Sequence, residues 1–156
     1  MHPLALLPPE LATTPHPLCF AIDRYVGPIH VKFRICFSIV AVGNRLKLHI
    51  DWGSGHVDLP LITSCQQIFS FSIADIELCI SNIHSTNGYV SSFDIALKLC
   101  ANFPFVGHQC ITLLSKHIGL GIFKVADLRA AEAAHEIELD DDFVLTGEYV
   151  AFLYEA

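Results

Sequence analysis

From Ile29 to Ile39 the chain alternates without a break. Ile29, Val31, Phe33, Ile35, Phe37 and Ile39 point one way, and His30, Lys32, Arg34, Cys36 and Ser38 the other. Period two marks a strand with one dry face and one wet face. Leu46, Leu48, Ile50 and Trp52 then alternate with Arg45, Lys47, His49 and Asp51. Gly43-Asn44 between the two runs suits a two-residue turn, because glycine accepts the positive φ that a type II′ turn needs at its first central position. Closing a hairpin there sets Ile39 against Leu48, Phe37 against Ile50 and Ile35 against Trp52. A slip of one residue would put every apolar side chain opposite a polar one, so the two arms specify their own register.

A second hairpin is centred on Asn87-Gly88, a dipeptide whose two positions both tolerate left-handed geometry. It pairs Ile80 with Ile95, Leu78 with Leu97 and Ile76 with Leu99. On the wet face it sets Glu77 opposite Lys98, an exposed cross-strand ion pair of at most about 1 kcal/mol.

The remaining stretches fill out a mostly β chain. Residues 1–17 hold five of the eight prolines and show no period, which reads as an extended N-terminal arm before a single domain over 18–156. Cys19 to Tyr25 forms a short strand that Gly27-Pro28 separates from the first hairpin. Val57, Leu59 and Leu61 alternate around Pro60, which places that strand at a sheet edge. Phe69, Phe71 and Ile73 share one face, yet after Ala74-Asp75 the apolar residues move to even numbers; this predicts a bulge, or a corner leading into a second sheet. Gln109 to Val125 fits helix or strand, with Gly119 and Gly121 favouring strand. Asp127 to His135 is the one clear helix, with Asp127 as N-cap and Leu128, Ala131 and Ala134 as its docking face. Phe143 to Tyr154, broken at Gly147, closes the chain as one bulged strand or two short ones. The fold class is all-β and mainly antiparallel: a β-sandwich or partly open β-barrel of about seven to nine strands, with one short helix in the C-terminal half.

Composition changes this picture in two respects. Apolar residues make up 53% and charged residues 16%, against roughly 45–50% and about 25% in typical domains. The excess either lines a cavity or is covered by another copy of the chain, and the second is the preferred expectation. The net charge of −7 is concentrated, for the residues before Asp127 sum to +1 and those from Asp127 onward to −8. That excludes a basic footprint for nucleic acid or an anionic membrane, and it permits a basic protein partner. The first ten residues lack a basic segment followed by an uninterrupted apolar run, so no secretory signal is read there. Six cysteines without a Cys-x-x-Cys are then expected to be free thiols in a reducing cytosol. In the register above, Cys36 meets Asp51 and Cys79 meets Ala96.

One cluster has the residue types of catalysis. On the wet face of the first hairpin Ser38 lies opposite His49 and Cys36 opposite Asp51, which gathers nucleophile, base and carboxylate on one surface. Cys36, Ser38, His49 and Asp51 are therefore the candidate catalytic residues. Cys36, His49 and Asp51 also carry zinc-type donors, although no spacing motif supplies a fourth ligand. Lys32, Arg34 and Lys47 surround the group, as on an ordinary solvated sheet face, and this plainer interpretation is preferred. Glu136, Glu138, Asp140, Asp141 and Asp142 lack the spacing of a calcium loop. No cofactor and no metal are expected.

The expected function is that of a non-enzymatic cytoplasmic interaction or self-assembly module, present as a homo-oligomer. The alternatives are a small β-barrel binding an apolar small molecule, with or without enzymatic activity, and an acidic inhibitor or immunity-type protein that neutralises a basic target.

Overall fold

The structure, a computed structural model, describes residues 17–42, 45–71, 73–86, 89–103, 106–136 and 149–156. Strands β1 (Leu18–Val26), β2 (Ile29–Val42), β3 (Arg45–Asp51) and β4 (His56–Pro60) form a four-stranded sheet in that order. Strands β5 (Ser64–Phe71), β6 (Ala74–Thr86), β7 (Tyr89–Phe103), β8 (Gly107–Lys124) and β9 (Tyr149–Glu155) form a five-stranded one. Every paired neighbour is antiparallel and next in sequence. The result is a two-sheet antiparallel meander, with no closed barrel among the described residues.

Both predicted hairpins have the predicted register. Phe37 faces Ile50 and Ile39 faces Leu48; Ile80 faces Ile95, Leu78 faces Leu97 and Ile76 faces Leu99. Trp52 lies just past the end of β3, so the expected rung with Ile35 is not formed. The turn dipeptides Gly43-Asn44 and Asn87-Gly88 lie outside the described residues, as do the proline-rich arm before Pro17 and the acidic residues Glu138 to Asp142. Pro60 ends β4, an edge strand as anticipated.

The change of phase near Ala74-Asp75 has a different origin from the corner expected there. β5 and β6 are a hairpin, with Phe71 opposite Ala74 and Phe69 opposite Ile76. In a two-residue turn the numbers of facing residues add to an odd total, so the inward parity must flip between the arms. The passage between sheets occurs earlier, after Pro60, where the Ile62 amide donates to the Pro60 carbonyl at 2.9 Å. A register shift between Gln67 and Phe69 adds a bulge to β5.

Gln109 to Lys124 is strand throughout, inside the 18-residue β8. Gly119 sits where a Cβ would lie 2.2 Å from the Tyr154 ring on β9, so the aromatic occupies the space a side chain would need. Helix α1 spans Val125–Ala133, two residues earlier than predicted, with Lys124 at the N-cap and Asp127 inside the first turn. There the carboxylate still complements the positive end of the helix dipole. Leu128 and Ala131 are half-buried, but Ala134 is exposed, so the docking face is shorter than expected.

One apolar cluster joins the two sheets. Val31, Ile35, Phe37, Ile39, Leu48 and Ile50 from the first sheet are 0% exposed, as are Ile76, Phe93, Leu97 and Leu99 from the second. A water-sized hollow beside any of these would leave part of its surface open, so at these positions the sheets meet through filled contact. Aromatic and cationic groups close the margins. Phe69 packs edge-on against Phe33 at 5.3 Å and stacks on Trp52 at 4.9 Å. Lys116 Nζ lies 5.6 Å from the centre of the Phe20 ring, and Arg24 Nη1 donates to the Thr112 carbonyl at 3.4 Å.

Candidate functional site

The outward face of the first sheet carries the predicted cluster, and strand pairing redistributes its members. Ser38 stands opposite His49 and Cys36 opposite Asp51, as the register requires. Cys36, however, also faces Cys19 on its other side and is disulfide-bonded to it, so it presents no thiolate. The Asp51 carboxylate accepts from the Gly53 amide at 2.7 Å in the turn that follows. His49 turns to Asp58 on β4, with Nδ1 2.5 Å from Oδ1. Because an ionised carboxylate only accepts, Nδ1 carries the proton, which leaves Nε2 of a neutral ring as the open acceptor. Ser38, His49 and Asp58 thus occupy one rung across three strands, in the order nucleophile, base and orienting acid. Among the described residues Ser38 makes no hydrogen bond to His49, the contact a base needs to activate it.

Among the described residues the His49–Asp58 pair is one of three of its kind. His30 Nε2 meets Asp23 at 2.7 Å between β2 and β1, and His117 Nδ1 meets Asp94 at 2.6 Å between β8 and β7. The hydrogen bond from His30 holds the Asp23 carboxyl below its ordinary range. Hydrogen bonds from Asn82, at 2.7 Å, and from His117 do the same for Asp94. These pairs tie neighbouring strands on the solvent side of each sheet.

The outward face of the second sheet is built on sulfur. Cys65 faces Cys79 across β5 and β6, Cys100 faces Cys110 across β7 and β8, and both pairs are disulfides. The expectation of free thiols is therefore corrected: none of the six cysteines is free. The neighbours expected from the two hairpins do hold, since Cys79 also faces Ala96 and Cys36 also faces Asp51. Cys36 and Cys79 each meet their sulfur partner on the other side of their strand. Cys79 and Cys100 are buried, whereas Cys65 and Cys110 are exposed. Glu77 stands opposite Lys98 as predicted, yet its carboxylate turns to sulfur, with Oε1 3.5 Å from Cys79 Sγ and Oε2 3.7 Å from Cys100 Sγ. His108, two residues before Cys110 on β8, completes the group.

No helix among the described residues is long and apolar enough to cross a membrane. No protein-family description, curated protein or solved structure matches the chain.

Proposed function

We propose that this chain is a disulfide-stapled, non-catalytic interaction module that self-associates through apolar turn tips at one end of the sandwich. The observation that carries the proposal is the exposure of three large apolar side chains, Tyr25 at 70%, Ile73 at 79% and Val106 at 64%. They sit at or beside the β1–β2, β5–β6 and β7–β8 turns. The Trp52–Phe69 stack and the Arg24–Thr112 hydrogen bond bring the corresponding strand ends together. Pairing by strand addition is disfavoured at two of the four sheet edges, because Pro60 ends edge strand β4 and edge strand β5 is bulged. Residues before Asp127 carry almost no net charge, so two copies meeting through these tips do not repel strongly.

The bridges also bear on location. The cytoplasmic expectation rested on the lack of a readable secretory signal, and free thiols were expected from it; three disulfides are instead the usage of an oxidising compartment. The balance of −8 from Asp127 onward supports a basic protein partner as a second role. The barrel alternative draws no support from the filled contact between the sheets.

Sedimentation over a wide concentration range tests the proposal. The oxidised chain is expected to gain mass with concentration, and Tyr25→Ser, Ile73→Ser and Val106→Ser together to return it to monomer. A monomer at every concentration overturns it. The Ser38, His49 and Asp58 row supports a hydrolase as the rival function. A fluorophosphonate that labels the chain, with labelling lost in Ser38→Ala and His49→Ala, would establish that rival.

A further inference from the structure

We infer that the second sheet doubles as a binding site for two thiophilic divalent cations, zinc above all, which the chain gains when its bridges are reduced. Two donor groups lie on that face: Cys65, Glu77 and Cys79, and Cys100, His108 and Cys110, each with its ligand atoms within 4.8 Å of one another. Thiolate sulfur, imidazole nitrogen and carboxylate oxygen are zinc's preferred donors, and four of them complete a tetrahedral site. Glu77 turns one oxygen toward each group, as its separate contacts to Cys79 and Cys100 show. The second of these oxygens reaches Cys100 Sγ, at 3.7 Å, but is not gathered with His108 and Cys110, so the Cys100 group has three protein donors and takes a water as the fourth. The Cys65 group likewise has three and takes a water as the fourth.

The exchange of bridge for metal balances in two steps. A dithiol reductant gives each disulfide two electrons and two protons, opens the S–S bond and is itself oxidised to a disulfide. Zinc then displaces the thiol protons to solvent and binds the thiolates. The strands joined by sulfur–sulfur bonds in the oxidised chain, β5 to β6 and β7 to β8, are the ones the metal would hold in the reduced chain. The Cys19–Cys36 pair has no third donor gathered beside it among the described residues, and it serves as an internal control.

The full chain, reduced with a phosphine and titrated anaerobically with cobalt(II), tests the inference. Expected are two cobalt ions per chain with sulfur-to-cobalt charge-transfer absorption, displaced by zinc, and none with the oxidised chain. His108→Ala should weaken one of the two cations about tenfold or more, and Cys19→Ser/Cys36→Ser should leave both. If reduction unfolds the chain, cobalt should restore its β circular dichroism. The inference is overturned by an absent charge-transfer band, by equal binding to the oxidised chain, by loss of binding in the Cys19/Cys36 variant, or by binding without recovery of β structure.

Discussion

Removing the Cys19–Cys36 bridge should cost this chain about a third of what its three bridges contribute together. The two residues are 17 apart in sequence, and the loop-closure entropy that the bridge removes from the unfolded chain corresponds to about 3 kcal/mol at 25 °C. The separations of 14 and 10 at the other bridges give about 3 and about 2.7 kcal/mol by the same relation. All three therefore approach 9 kcal/mol, roughly the whole stability of an ordinary domain. The variant Cys19→Ser/Cys36→Ser isolates one term, since both residues are half-buried on the outward face and their replacement opens no cavity in the apolar cluster. At about 2–4 °C per kcal/mol for a chain of this size, the thermal midpoint should fall by roughly 10 °C. Urea unfolding should report the same free-energy loss through its midpoint, with the slope reading any expansion of the unfolded state. A loss under about 1 kcal/mol would refute the reasoning, because it would mean that the β1–β2 hairpin persists in the unfolded chain and leaves little entropy for the bridge to remove.

Three further outcomes are expected. Phe37→Ala, at a fully buried position facing Ile50, should destabilise by about 3–5 kcal/mol in chemical denaturation; a loss below 2 would mean that the sheets relax into the space. Gly119→Ala should cost about 1 kcal/mol by displacing the Tyr154 ring, and in a Tyr154→Ala background that cost should shrink or reverse; equal costs in both backgrounds would place the constraint in the backbone. Asp23 and Asp94 are held below the ordinary carboxylate value of 3.8, so the folded chain binds fewer protons there than the unfolded one. Their contribution is complete above that value and disappears as pH falls through the lowered ones. Asp94→Asn should therefore flatten the acid limb of the stability curve, and an unchanged limb would contradict the assigned hydrogen bonds.

The cysteine pairing was partly within reach of the sequence. A two-residue turn at Gly27-Pro28 sets Cys19 opposite Cys36, by the same arithmetic that aligned Phe37 with Ile50. Cys36 has a neighbour on each side, Cys19 on β1 and Asp51 on β3, and the hairpin with β3 specifies only the second. The Cys65–Cys79 pair was harder to see, because the bulge between Gln67 and Phe69 shifts the register by one, and Ser72-Ile73 carries none of the glycine or asparagine that marked the other turns. The pairing of Asp58 with His49 is hidden in the sequence for a related reason. The alternation of Val57 and Leu59 puts Asp58 on the wet side, but which strand lies beside it depends on how the turn after Trp52 folds.

Alternation of apolar and polar residues is local, and it sufficed for the strands, the two hairpin registers and the all-β architecture, because a pleated strand must bury one side or the other. Which sulfurs join, which histidine meets which carboxylate and where the chain passes between sheets are matters of lateral order. A strand in the interior of a sheet has two neighbours, and its own pattern says nothing about the second. Only the assembled sheets settle that, by packing their dry faces into one core and so placing the wet faces of distant segments side by side.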